Sequence, residues 1–294
     1  TAAGNYSITF AGASAGNNYT IRYEAGTLYV VEKEPQSIAF DETEKTVVYG
    51  SEDFAVKAKH DQGDGEVTYS SSDSDVAVVD PKTGTVTIIG AGTVVVTATA
   101  AATTDYAAAS ARYTLTVTPK AVNPSIVIST DAIIYDGTEK KPVVTVKVGD
   151  TTFDADSYDV AYANNINAGK ATVTVTMKGN YSGQAKAEFT IEPAAINVSA
   201  ITWKIPENAV YNAQPYKAEV VNIPEHVVVK ELTGSEATNA GKYTAKAILE
   251  ADSSNYTLVG SYQDTQDWTI GKAKASVTAL DRTIRVGAAV PVFN

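Results

Sequence analysis

A two-residue step, Asn or Asp followed by Tyr, recurs four times along the 294-residue chain, at Asn18–Tyr19, Asp105–Tyr106, Asn180–Tyr181 and Asn255–Tyr256. The last three are evenly spaced, and the first stands only slightly further off. Each step leads into a segment that closes in Thr and an aliphatic residue, at Thr27–Leu28, Thr114–Leu115, Thr190–Ile191 and Thr269–Ile270. An Ala–Gly step precedes each one, at Ala3–Gly4, Ala91–Gly92, Ala168–Gly169 and Ala240–Gly241, a short and nearly constant way ahead of its Tyr. Three stretches open on a Tyr-turn element: Val48–Tyr49–Gly50, Ile134–Tyr135–Asp136–Gly137 and Val210–Tyr211–Asn212. The tail, from Ile284–Arg285–Val286–Gly287 through Pro291–Val292–Phe293, resembles a further opening. Self-similarity at a fixed period is the signature of one small structure used repeatedly, and it argues against a single continuous core.

Between these markers the sequence alternates. In Ala171–Thr172–Val173–Thr174–Val175–Thr176–Met177 the apolar residues share one face and the threonines the other. Thr93 to Thr99, Tyr113 to Val117 and Val143 to Val148 do much the same. Period-two alternation marks a strand with one buried face. Turn signals separate the strands, at Gly63 to Gly65, Pro81 to Gly84, Asp136–Gly137, Gly149–Asp150, Asn164–Asn165 and Lys178–Gly179–Asn180. The 17 Tyr and 6 Phe, against 1 Met, suit a pleated, half-buried surface better than a helix. The Ala-rich stretch from Ala100 to Ala111 has no apolar stripe at helical spacing and is read as a loop or short turn. The fold class expected is all-β, a tandem array of small antiparallel β-sandwich modules forming an elongated rod.

The markers divide the chain. Residues 1–33 read as the C-terminal half of a module, 34–119, 120–193 and 194–273 as three whole modules, and 274–294 as the start of another. On this phasing the chain begins and ends inside a repeat, so the natural protein is expected to continue both ways. The joints, at Lys33–Glu34–Pro35, Thr118–Pro119–Lys120, Ile191–Glu192–Pro193 and Ile270–Gly271–Lys272, are short, and three contain Pro. Proline restricts the backbone, which predicts semi-rigid connections between neighbouring modules of the same chain.

A net charge of −11 excludes the basic stripe that nucleic acid requires and disfavours an anionic membrane surface. It also suits a soluble protein that repels its copies, so a monomer is expected. Without Cys there are no disulfides, thiolate metal sites or cysteine nucleophiles. No apolar run is long enough to span a membrane, and the first residues, TAAGNYSITF, lack the pattern of a signal peptide.

Candidate chemistry is sparse. NAGKATVTV, from Asn167, and NAGKYTAKA, from Asn239, resemble the end of a phosphate loop. The earlier Gly and the Ser or Thr after Lys are both missing, since Ala171 and Tyr243 follow the lysines. The shared part is the Ala–Gly step, read as a turn whose glycine serves positive φ or close backbone approach. His60 and His226, the latter at an expected strand start, lack any paired-His spacing and read as solvated or capping residues. Asp73, Asp75 and Asp80, and Asp154 and Asp156, are weak calcium candidates, with turn closure as the plainer role. Asp159 joins the second of these groups, and Asp61, Asp64 and Glu66 form a third. Calcium is the one cofactor suggested; otherwise none is expected, and no catalytic residue is identified. Trp268 is expected in a core, while Trp203, Tyr216 and Tyr262 are aromatics that stack on sugars if exposed. The repeat-defining structural residues are Gly4, Tyr19, Gly92, Tyr106, Tyr135, Gly169, Tyr181, Tyr211, Gly241 and Tyr256.

Two resemblances follow from longer motifs. Thr68–Tyr69–Ser70–Ser71–Ser72–Asp73, Val76–Ala77–Val78–Val79–Asp80, Gly84–Thr85–Val86–Thr87 and Gly90–Ala91–Gly92–Thr93–Val94–Val95–Val96–Thr97–Ala98 resemble the bacterial Ig-like domain, group 2, over about half of that module. Tyr135–Asp136–Gly137, Asp156 to Tyr162, Asn164–Asn165, Ala168–Gly169, Gly179–Asn180–Tyr181 and Phe189–Thr190–Ile191 resemble the mostly-bacterial-glycine (MBG) or Tyr-Asp-Gly repeats of large bacterial surface proteins. In the following module Tyr211–Asn212, Asn239–Ala240–Gly241, Asn255–Tyr256 and Trp268–Thr269–Ile270 carry the likeness, with Ala213 where Gly is usual. These resemblances imply Ig-like modules, an extracellular location at a bacterial surface or as a secreted chain, and a non-catalytic stalk, spacer or adhesive-fibre role. Wall-anchored Ig-like domains sometimes join Lys to Asn covalently, but no diagnostic pattern for that is present. The alternatives are a module that binds a host protein or glycan directly, and an ancillary region of a secreted carbohydrate-active enzyme.

Overall fold

In the computed structural model, which describes residues 1–129 and 131–289, the chain is all-β; its one helical element among the described residues is the 3-10 turn Ala155–Ser157. The tail residues Pro291, Val292 and Phe293 lie outside the described residues. Two compact units are present. One comprises residues 1–128, 143–161 and 173–187, the other 129–142, 162–172 and 188–294.

In the first unit a four-stranded sheet runs in the order Glu44–Val48, Ala109–Thr118, Gly92–Ala100, Val67–Ser71. A three-stranded sheet of Phe54–Ala55, Thr85–Ile88 and Ala77–Val79 accompanies it. Their inner faces share one core, with Val86, Val96, Ala98 and Leu115 fully buried. The alternation fixes this. In Gly92–Ala100, Val94, Val96, Ala98 and Ala100 are buried, while Thr93 and Thr99 stay exposed. Register sets Val94 opposite Leu115 and Val96 opposite Tyr113, so aliphatic and aromatic faces meet across the pair. Two layers around one core make this stretch a β-sandwich. A smaller core of Val146, Tyr158, Val175 and Met177 lies among Val122, Ile126, Phe153 and Tyr181. Residues 1–33 contribute only an antiparallel pair, Gly4–Ile8 with Gly26–Val30, and Phe10, Tyr19, Tyr29 and Val31 around it are exposed.

In the second unit Val227–Thr233, Gly241–Ala251 and Thr265–Ile270 form a three-stranded sheet. Ala245, Trp268 and Ile270 anchor one core, and Val198, Ile201, Val227 and Leu249 another.

Two expectations need correction. Not every pairing is antiparallel: Glu44–Val48 runs parallel to Ala109–Thr118, Lys120–Ala121 to Tyr181–Ser182, and Ala194–Asn197 to Tyr256–Val259. Each parallel pair joins segments far apart in sequence, which leaves room for the crossover that parallel strands require. The Ala-rich stretch is a loop only in its middle. Ala100 ends one strand and Ala109–Thr118 begins the next, because small residues fit the closely paired core edge.

Candidate functional site: the joints between repeats

The Asn–Tyr steps, the Ala–Gly steps and the Tyr-turn openings are separate markers in sequence, but they meet in space. In the first unit the Ala91 N–H donates to Asn180 Oδ1 at 2.7 Å. Beside it, the Tyr181 ring meets Tyr49 edge-on, with centroids 5.5 Å apart and planes at 80°. In the second unit the Ala168 N–H donates to Asn255 Oδ1 at 2.8 Å, and Asn255 Nδ2 donates to Asn167 Oδ1 at 3.2 Å. There Tyr256 meets Tyr135 edge-on, again at 5.5 Å and with planes at 86°. The same contact is thus built twice, each time from the opening and Ala–Gly step of one repeat and the Asn–Tyr step of the next.

The connecting backbone repeats as well. The Thr118 carbonyl accepts from the Tyr49 N–H at 2.8 Å, and just beyond it the Lys120 N–H donates to the Asn180 carbonyl at 2.9 Å. The Glu192 carbonyl accepts from Tyr135 at 2.9 Å, and the Ala194 N–H donates to the Asn255 carbonyl at 2.9 Å. Each joint is therefore a short strand, paired on one edge to its own repeat and on the other to the next. Pro119 and Pro193 sit between the two pairing residues, where the missing proline N–H leaves no donor unpaired. At Asp105–Tyr106 only the backbone half is present. The Glu34 N–H donates to the Asp105 carbonyl at 2.8 Å, and among the described residues Tyr106 has no ring partner.

Each docked tyrosine is held from a second side. Phe153 meets Tyr181 at 4.8 Å and 85°. His226 stacks flat on Tyr256 at 4.1 Å and 13°, with its Nδ1 2.9 Å from Asp252 Oδ2. Desolvation, then the charges of Tyr135 and Asp252, push the Tyr256 phenol above its ordinary value. His226 is thus more than a solvated or capping residue: at φ 63° it turns the chain ahead of Val227–Thr233 and brings its ring onto the joint tyrosine. Edge-on aromatic pairs contribute about 0.5–1.5 kcal/mol each beyond the area they bury. The arrangement has donors, acceptors and rings in complementary places. Chemically, it brings an amide-to-asparagine hydrogen bond and an edge-on ring pair together at each joint.

The other sequence candidates lie apart from the joints or serve them indirectly. The phosphate-loop likeness dissolves: in the first copy the Asn-Ala-Gly turn presents the Ala168 N–H to Asn255, and Lys170 pairs with Glu188 at 2.9 Å. Gly92 is required for space, since a Cβ there would lie 2.7 Å from Val76 Cγ2, and Gly169 for its φ of 125°. Gly241 has neither requirement in full; a Cβ would meet only the Tyr243 side chain, with Oη nearest at 3.2 Å. Gly4 lies in the exposed pair of residues 1–33, and Tyr19 is 77% exposed. Asp73 Oδ1 accepts from the Asp75 N–H at 2.9 Å, and Asp80 Oδ1 accepts from Lys82 N–H and Thr83 N–H at 2.9 and 2.7 Å. Asp154 precedes the turn Ala155–Ser157, and Asp156 lies within it. Among the described residues no group of three or more His, Asp or Glu side chains is placed to hold a metal ion. His60 Nε2 lies 2.9 Å from the Gly65 carbonyl. Trp268 is buried with its Nε1–H donating to the Gly234 carbonyl at 3.1 Å, and half-buried Trp203 donates to the Gln263 carbonyl at 2.8 Å. Tyr262 donates to the Ala247 carbonyl, and half-buried Tyr216 to the Val210 carbonyl. What sequence reasoning missed was the role of the step's asparagine as the acceptor across the joint; its signal was Asn before Tyr at both filled joints and Asp before Tyr106.

Residues 52–102 match the model of the intimin immunoglobulin-like domain. No curated protein sequence matches the chain. Solved structures similar to it include a protocadherin, PcdhgB3 EC1-4, at 16% identity over 57% of this chain and 53% of that one, with a TM-score of 0.25. Drosophila N-cadherin EC1-4 is 12% identical over 92% and 83%, with a TM-score of 0.24. Domains 4–9 of the surface layer protein SbsC are 14% identical over 81% and 47%, with a TM-score of 0.21. The chain spans about half the length of the first of these. Likenesses of this order carry no argument about arrangement or role. No helix among the described residues is long and apolar enough to cross a membrane.

Proposed function

We propose that the chain is a repeat region of a large bacterial extracellular surface protein, acting as a non-catalytic stalk, spacer or adhesive fibre. The observation that carries the reading is the joint built twice, with the same amide-to-asparagine bond and the same edge-on tyrosine pair. A contact repeated in this way sets how far, and at what angle, each module stands from its neighbour, which is what a spacer has to control. The match of residues 52–102 to the immunoglobulin-like domain of intimin supports a bacterial surface origin. On this reading 34–119 is a group 2 Ig-like module, 120–193 and 194–273 are MBG or Tyr-Asp-Gly modules, and the partners are neighbouring modules of the same monomeric chain. Small-angle scattering tests it. A compact 294-residue globule has a radius of gyration of roughly 19 Å. A stalk gives a value well above that, and a value matching the globule sinks the spacer reading.

A second reading, direct binding of a host protein or glycan, is favoured by one feature. An open cleft of about 380 Å³ in the first unit is lined by Phe40, Phe54 and Tyr113 together with Asp41, Lys45 and Lys59. Aromatic faces beside ionic groups suit a sugar, although Lys45 Nζ already sits 4.0 Å above the Phe54 ring. Binding to a glycan or mucin array that is lost on Phe54→Ala supports this reading; no binding leaves the spacer role alone.

A further inference from the structure

In the second unit a further joint surface is assembled, and among the described residues no Asn–Tyr step fills it. Tyr211 opens this repeat as Tyr49 and Tyr135 open theirs, and its N–H donates to the Gly271 carbonyl at 2.9 Å, as theirs do to Thr118 and Glu192. Val210 bridges Gly271 in parallel, as Ile134 bridges Glu192. Ala240 stands where Ala91 and Ala168 stand in the filled joints, immediately before the repeat's glycine. Ala273 stands next but one after Gly271, as Lys120 does after Thr118 and Ala194 after Glu192. Tyr211, Ala240 and residues 272–275 line an open cavity of about 450 Å³. Exposure differs in the sense a missing partner predicts: Tyr49, Tyr135, Ala91 and Ala168 are half-buried, whereas Tyr211 is 42% exposed and Ala240 is exposed. No acceptor for the Ala240 N–H is found among the described residues.

We propose that this cavity is a docking site for the Asn–Tyr step of a further module of the same kind, joined in the same chain through residues 272–275. The asparagine Oδ1 would accept from Ala240 N–H, the tyrosine ring would meet Tyr211 edge-on, and the asparagine carbonyl would accept from Ala273 N–H. The argument is continuity with the two filled joints, whose donor, ring and backbone positions recur here one for one. The inference rests on the repeat-region reading but fails separately from it, because the two filled joints serve as internal controls.

The test is amide hydrogen exchange on the whole chain and on a chain with residues 194–272 duplicated in tandem after Lys272, which preserves the joint register. In the unmodified chain the Ala91 and Ala168 amides should exchange slowly and Ala240 fast. In the duplicated chain Ala240 should slow by roughly tenfold or more, toward the other two, and Asn255→Ala in the second copy alone should reverse this. Unchanged Ala240 exchange in a folded duplicate overturns the proposal. So does an Ala240 amide already protected in the unmodified chain, whether at all concentrations or increasingly with concentration, since the site is then filled from within or by a second copy. Should the duplicate not fold, chemical labelling of the unmodified chain decides. Tyr211 must then react faster than Tyr49 and Tyr135, and equal rates count against an open site.

Discussion

Ala213 sits in the left-handed region, at φ 62°, a conformation that costs an L-residue about 1–2 kcal/mol. Its counterpart in the preceding repeat is Gly137, at φ 81°. The two turns are otherwise alike: Asn212 Oδ1 accepts from the Gln214 N–H and Asp136 Oδ1 from the Thr138 N–H, both at 2.9 Å. The substitution therefore leaves the turn type unchanged and stores strain in it. Ala213→Gly should stabilise the protein by about 0.5–1 kcal/mol in denaturant titration, since an exposed methyl is lost and glycine's greater freedom when unfolded offsets part of the relief. Asp136 supplies a second test. Hydrogen bonding to Lys140, then to the Thr138 side chain and backbone, holds its carboxyl well below the ordinary 3.8. A depressed folded-state value means this contribution is fully present above the unfolded pKa and fades as pH falls through the folded one. The melting temperatures of the native protein and Asp136→Asn should differ most near neutral pH and converge on strong acidification; a constant gap would remove the carboxylate from the cause.

At the scale of elements, the strand faces were legible because period two leaves little choice. Once Val94, Val96 and Ala98 point inward, a one-residue slip would expose them all. Leu115→Ala should accordingly cost about 2–5 kcal/mol by chemical unfolding, because Leu115 is fully buried in the shared core. Thr93→Ala, on the exposed face of the partner strand, should stay within about 0.5 kcal/mol. What periodicity does not carry is the identity of a strand's neighbour. The parallel placement of Glu44–Val48 beside Ala109–Thr118 depends on a crossover, and the local pattern reads the same for either direction. The position of His226 was hidden for a similar reason. Its ring is seated by Tyr256, a partner several strands later in the chain, and not by the residues around it.

For the whole molecule, the markers of the site were legible and their meeting was not. In sequence each Ala–Gly step pairs naturally with the Tyr that follows it in the same repeat. In space Ala91 pairs with Asn180 and Ala168 with Asn255, one repeat later. Local spacing cannot separate punctuation within a repeat from a lock between repeats; the two readings differ only in which copy is touched. They predict different energetics. If the tyrosines were punctuation, Tyr135→Ala and Tyr256→Ala would each destabilise their own repeat and their effects would add. If the rings form a lock, part of each loss is the same interaction, and the double variant should lose less than the sum by about 0.5–1.5 kcal/mol, the worth of an edge-on pair. Tyr49→Ala with Tyr181→Ala should give a similar coupling, since the centroid distance is identical and both pairs meet edge-on. Tyr211 is the control the chain itself supplies. Lacking a ring partner among the described residues, it should show no coupling to Tyr256. The contrast between coupled and uncoupled pairs measures the lock independently of what each tyrosine does within its own repeat.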